Sequence, residues 1–129
     1  MSEAVPFQLH CPAEPAEVGP LRRAVTAYAQ QVGVADLEAV QLAVSEAATN
    51  AVVHAYRDGQ VGDLTVTAQP VGDEFEVTVA DHGVGMIPRP DSPGLGLGLP
   101  LIAQLAAAFE VVSPDDGGVR LSMRFPLAA

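Results

Sequence analysis

The amino-acid sequence predicts an α+β fold, a two-layer sandwich in which one mixed, mostly antiparallel sheet is covered on one face by about three helices. Three observations point there. The chain has 129 residues, 49% of them apolar, enough to build one core and too few for two, so a single domain over residues 1–129 is expected. The hydrophobic period is helical from about residue 20 to residue 56 and becomes a two-residue alternation from about residue 63. The segments then run in the order β-α-α-β-β-loop-α-β-β, in which strands and helices each need the other's apolar face for cover.

Taken in order, Val5 to His10 alternate roughly in polarity and read as an edge strand, where Pro6 is tolerated. Leu21, Val25, Tyr28, Ala29 and Val32 recur at helical spacing, with Pro20 suited to a first turn and Gly33 to a stop. Asp36 then reads as the N-cap of a long second helix, Glu38 as a favourable first-turn charge, and Asp58-Gly59 as its end after Tyr56. "LTVTAQ" and "EFEVTVAD" form a hairpin joined around Pro70 to Asp73, the second strand ending at Ala80. The Gly- and Pro-rich stretch from Asp81 to Pro93 is too broken for a regular element. "LGLPLIAQLAAAF" reads as a third helix, entered through Gly96 and Gly98 with Pro100 in its first turn. "EVVS" and "VRLSMRFPL" close the chain as a hairpin around Pro114 to Gly118.

Composition narrows the function. The formal net charge is −10, and the six basic residues are all arginine. Such a surface repels nucleic-acid phosphates, which argues against DNA or RNA as a direct partner. An anionic ligand would need backbone amides, a helix N-terminus or a bound cation to offset its charge. The start of the chain has no basic region followed by an apolar stretch, and no apolar segment reaches membrane-spanning length, so a cytoplasmic protein away from membranes is expected. Cys11 is the single cysteine, which leaves neither an internal disulfide nor a cysteine zinc site.

Three segments carry the chemistry. In "VSEAATNAVVHAY", Glu46, Asn50 and His54 each advance about 40° around the helix and form a polar row. Beside it runs an apolar stripe through Leu37, Val40, Val44, Ala47, Ala48 and Ala51. Taken alone, the row either meets water or edges a site. In "VADHGVGMIP", Asp81 at a strand end precedes Gly83 and Gly85. That is either a local turn or a place where a fixed carboxylate accepts a hydrogen bond from an exocyclic amine while glycines let backbone approach a flat ligand. In "SPGLGLGLPLI", Gly94, Gly96 and Gly98 alternate with leucine before a helix. This is either a turn whose amides converge on phosphate oxygens, a Gly-rich strand, or a helix packed closely on the sheet. It is neither a P-loop nor a dinucleotide-binding fingerprint.

In this order the three segments resemble the N, G1 and G2 boxes of the GHKL ATPase superfamily, which includes gyrase, histidine kinases and MutL. "VSEAATNAVVHAY" looks most like the anti-sigma-factor serine/threonine kinases of bacterial partner-switching systems. The resemblance implies a Bergerat-type sandwich that binds ATP with Mg²⁺. It makes Asn50 a metal ligand and Glu46 the general base toward a hydroxyl or water. Asp81 would accept the adenine amino proton, Gly83 and Gly85 would make room for the base, and Gly94, Gly96, Gly98 and Leu99 would line the phosphates. His54 would support the rim or cap the helix, and Arg89 lies in the lid segment within reach of a γ-phosphate or solvent. The implied partners are an antagonist protein as phosphate acceptor and a sigma factor or similar regulator, with a homodimer as the assembly. A rival reading is a nucleotide-gated binding module that holds ATP without turnover. Two departures stand out: a short lid without the family's Thr and Lys, and Gly117-Gly118-Val119 where the family commonly has Gly followed by a Thr that helps hold adenine.

Overall fold

A computed structural model describes residues 5–56, 62–81, 95–112 and 118–129, and the side chains of these except residues 54–56 and 95–99. The eight elements are β1 (Phe7–Pro12), α1 (Pro15–Val32), α2 (Leu37–Tyr56), β2 (Asp63–Val71), β3 (Glu74–Asp81), α3 (Leu95–Leu105), β4 (Ala108–Val112) and β5 (Val119–Pro126). They follow the order read from the sequence.

Helix α1 begins at Pro15, whose missing N–H costs nothing in a first turn; Pro20, expected at the start, lies inside the helix. The segment before Pro20 has the Pro and Glu content of a turn, yet Val18 packs on the core and Leu21, Val25 and Ala29 are buried, so burial carries the helix through. It stops at Gly33 in the left-handed region (φ 88), where the Gly33 N–H donates to the Ala29 and Gln30 carbonyls and that of Val34 to Ala29. Asp36 caps α2 as expected, its Oδ1 accepting from the Ala39 N–H at 3.1 Å. The small side chains Ala43, Ala47, Ala48 and Ala51 give α2 a smooth buried face that approaches its neighbours closely.

The sheet order is β1-β2-β3-β5-β4, and every described pairing is antiparallel, stricter than the mixed arrangement expected. The α3 crossover does make β3 and β4 run the same way, but β5 inserts between them and pairs antiparallel with both. Gly72 (φ 62) and Asp73 form the two-residue turn between β2 and β3. Inward residues Leu64, Val66, Phe75, Val77, Met123 and Phe125 are fully buried beneath the helices, joined by Leu21, Val25, Val40, Val44 and Ile102. The opposite face is polar: Arg124 reaches Glu74 (3.5 Å) and Glu76 (3.0 Å), and Thr78 shares a hydrogen bond with Ser122 (3.0 Å).

Two boundaries near the glycine segment differ from expectation. Helix α3 starts at Leu95, so Gly96 and Gly98 lie within its first turns rather than in a turn preceding it. It also ends at Leu105 and not at Phe109. Ala106 makes a last helical bond to the Ile102 carbonyl, then Ala107 N–H donates to the Arg124 carbonyl and the chain becomes β4, with Phe109 opposite Met123. An Ala-rich run reads as helix by propensity, and sheet pairing overrides it.

Candidate functional site

Helix α2 positions the polar row. It packs against α3 on one side and over β3, with smaller contacts to β2 and β5. Its stripe of Val40, Val44, Ala47, Ala48 and Ala51 is buried, which turns Glu46 and Asn50 to the margin of that contact, where both are half-buried. Ser45, beside Glu46, has a buried hydroxyl with no hydrogen-bond partner among the described residues. His54 falls in the last turn of α2, and nothing of its side chain is described.

Asp81 is the buried charged residue among those described, with only 6% of its surface exposed. It is the last residue of β3 rather than the first of a loop. The alternation Phe75, Val77, Val79, Asp81 places its side chain on the helix-covered face, where a purely local turn residue would face solvent. Its cross-strand neighbours are Leu64 on β2 and Val119 on β5. Val119, in the segment where the resemblance implies a threonine, is therefore directly beside Asp81, within about 5 Å between Cβ atoms.

The structure thus brings Glu46, Asn50, Asp81 and the first turns of α3, including Gly96, Gly98 and Leu99, onto the same side of the sheet. Gly83, Gly85, Gly94 and Arg89 lie outside the described residues. No described arginine from the sheet joins them, since Arg120 and Arg124 sit on the polar face; Arg22 and Arg23 belong to α1. A polyanion at this place would be offset by main-chain amides and a cation rather than by sheet arginines. Among the described residues no group of three or more His, Cys, Asp and Glu is arranged to hold a metal.

Two clefts, of about 820 and 310 Å³, lie around Phe7 and Gln8 of β1 and share no lining residue with α2 or α3. No described helix is long and apolar enough to cross a membrane. Sequence reasoning missed two exposed aliphatic residues flanking Glu46 on α2, Leu42 and Val53. Their helical angle relative to Glu46 was available as a signal, but aliphatic residues on a helix read first as core.

Residues 11–125 match the histidine kinase-like ATPase domain family. A serine-protein kinase RsbW of Bacillus licheniformis is 34% identical over an alignment of 134 residues, covering 91% of this chain and 82% of that protein. A second of that name, from Bacillus velezensis, is 42% identical over 86 residues, covering 64% of this chain and 54% of its own length. An anti-sigma F factor of Clostridium perfringens is 28% identical over 116 residues, 80% of this chain and 83% of that one. The chain spans about half the length of several of these curated relatives. The solved histidine kinase domain of the E. coli osmosensor EnvZ superposes with a TM-score of 0.50 at 16% identity, covering 100% of this chain and 92% of that one, a likeness of fold.

Proposed function

The chain belongs to the histidine kinase-like ATPase domain family, and from that premise we propose that it is an ATP-dependent protein serine/threonine kinase of the anti-sigma-factor type. It phosphorylates a small antagonist protein and in turn holds a sigma factor or similar regulator. The reading is supported by relatives named serine-protein kinase and anti-sigma F factor. The observation that carries it is the placement of Glu46 and Asn50 one turn apart on α2, on the same side of the sheet as buried Asp81.

The residues fit ATP with Mg²⁺. Asp81 is a shielded acceptor suited to the adenine amino group, and burial makes such a bond selective, because a base lacking the amine forgoes a hydrogen bond to a charge shielded from water. Asn50 would offer Mg²⁺ a neutral hard oxygen, with phosphate and water as its other ligands. Bound Mg²⁺ would supply charge neutralisation at the phosphates. Gly96, Gly98 and Leu99 lie in the opening turns of α3, at the positive end of the helix, with the Gly96 N–H among the first-turn groups that have no intrahelical acceptor, and Gly83, Gly85 and Gly94 complete the glycine set of the proposal.

Glu46 is the general base. It accepts the proton of the acceptor hydroxyl as that oxygen bonds to the γ-phosphorus, and ADP departs with the electron pair of the broken bond to the β–γ bridging oxygen. The half-buried setting of Glu46 keeps it reachable by a protein side chain. A homodimer and a cytoplasmic location belong to the same proposal. Its test is transfer of labelled γ-phosphate to a serine or threonine of an antagonist domain; ATP binding without any transfer would instead favour a nucleotide-gated binding module.

A further inference from the structure

Past its first turn, α2 has three exposed positions among those whose side chains are described, Leu42, Thr49 and Val53. Solvent-facing helix positions ordinarily carry polar groups, yet two of these are branched aliphatic residues, 44% and 50% exposed. At 100° per residue Leu42, Glu46, Thr49 and Val53 fall within about 60° of one another. Leu42 lies about 6 Å before Glu46 along the helix axis and Val53 about 10 Å beyond it. Asn50 is displaced from Glu46 toward the other flank, so the carboxylate separates the metal-side carboxamide from the aliphatic pair.

We propose that Leu42 and Val53 are the docking shoulders for the protein acceptor, a segment presenting its serine or threonine hydroxyl between apolar side chains. The inference rests on the phosphotransfer reading above and names the partner of that same carboxylate. The occupant follows from position: whatever covers the two shoulders lies over Glu46, on the flank away from the metal ligand. The ridge of about 16 Å accommodates roughly five residues of extended chain, enough for one hydroxyl residue with an apolar neighbour on each side. Apolar contacts also suit a chain of net charge −10, because they bind a partner of either charge without like-charge repulsion.

To test this, each antagonist-type domain encoded in the source genome is incubated with the parent chain and labelled Mg-ATP, and the domain that takes up most label serves as the probe. Leu42→Gln and Val53→Thr should each raise KM for the probe about ten-fold, with kcat and the Kd for Mg-ATP unchanged. Leu42→Met should restore the parent KM. Val112→Thr, on the polar sheet face, is the control and should change nothing. Unchanged KM in both shoulder variants, or an equal rise in the control, overturns the inference and leaves the kinase reading standing. Weakened Mg-ATP binding would assign the shoulders to the nucleotide pocket, and an altered sedimentation coefficient would assign them to a second copy; either result also overturns it. If the parent labels no domain, the kinase reading itself fails and the inference falls with it.

Discussion

Replacing Asp81 by Asn removes one negative charge and almost no volume from the end of β3. The backbone of Asp81 pairs with Leu64 and Val119, and those main-chain bonds survive the change. With only 6% of its surface exposed, this side chain would make a hydrogen bond to a ligand away from competing water. A hydrogen bond to a charged group contributes about 1.5–3 kcal/mol, so ATP affinity should fall roughly 10- to 150-fold. The sharper quantity is a double cycle with inosine triphosphate, which carries a carbonyl where ATP has its amino group. Calorimetry with the Mg²⁺ complexes of both nucleotides, on the parent and on Asp81→Asn, isolates the coupling between carboxylate and amine and cancels general effects of the substitution. The parent should favour ATP strongly and the variant should lose most of that preference. An equal preference in both proteins would refute adenine recognition by Asp81.

Asn50→Ala should abolish most of the gain in ATP affinity that Mg²⁺ gives the parent, measured as the ratio of Kd values in Mg²⁺ and in EDTA; an unchanged ratio would remove Asn50 from the metal. Val119→Thr places a hydroxyl beside Asp81 and should tighten ATP binding about 2- to 10-fold, the worth of one neutral hydrogen bond. Cys11 is 8% exposed, and burial, with the carboxylates of Glu17 and Asp63 adding to it, pushes its thiol above the ordinary value of 9.0. The folded state then keeps a proton that the unfolded chain loses, so this stabilisation is complete below about pH 9 and is lost as pH rises through the folded value. The thermal midpoint should therefore fall above pH 9, less steeply in Cys11→Ala, and equal slopes would contradict the assignment.

The elements were legible because local signals agree with tertiary need. Asp36 and Gly33 mark the helix boundary that the structure shows, and the alternation of "EFEVTVAD" fixes which residues of β3 face the helices. That alternation already pointed Asp81 inward, although reading the strand as ending at Ala80 concealed it. Where propensity and packing disagree, the sequence misleads. Pro20 sits within α1 and Gly96 and Gly98 within α3 because buried neighbours on each helix, Leu21 and Ile102 among them, outweigh the local cost of these residues. The antiparallel pairing of β4 was hidden for another reason: strand order is non-local, and nothing within residues 108–112 reveals that β5 lies between β4 and β3. Spacing set Glu46 and Asn50 in one row, and their proposed roles came from the resemblance to the GHKL boxes. The aliphatic shoulders beside them emerged only when exposure separated Leu42 and Val53 from the core stripe.

Transfer of a phosphoryl group from ATP to a protein hydroxyl is proposed to depend on Glu46. Its most direct measurement compares the parent with Glu46→Gln, following labelled phosphate on the antagonist domain and Mg-ATP binding in the same preparations. Loss of the base should lower the transfer rate at least about 100-fold and leave the Kd for Mg-ATP within about two-fold. Equal transfer rates in the two proteins, with nucleotide binding intact, would contradict the account.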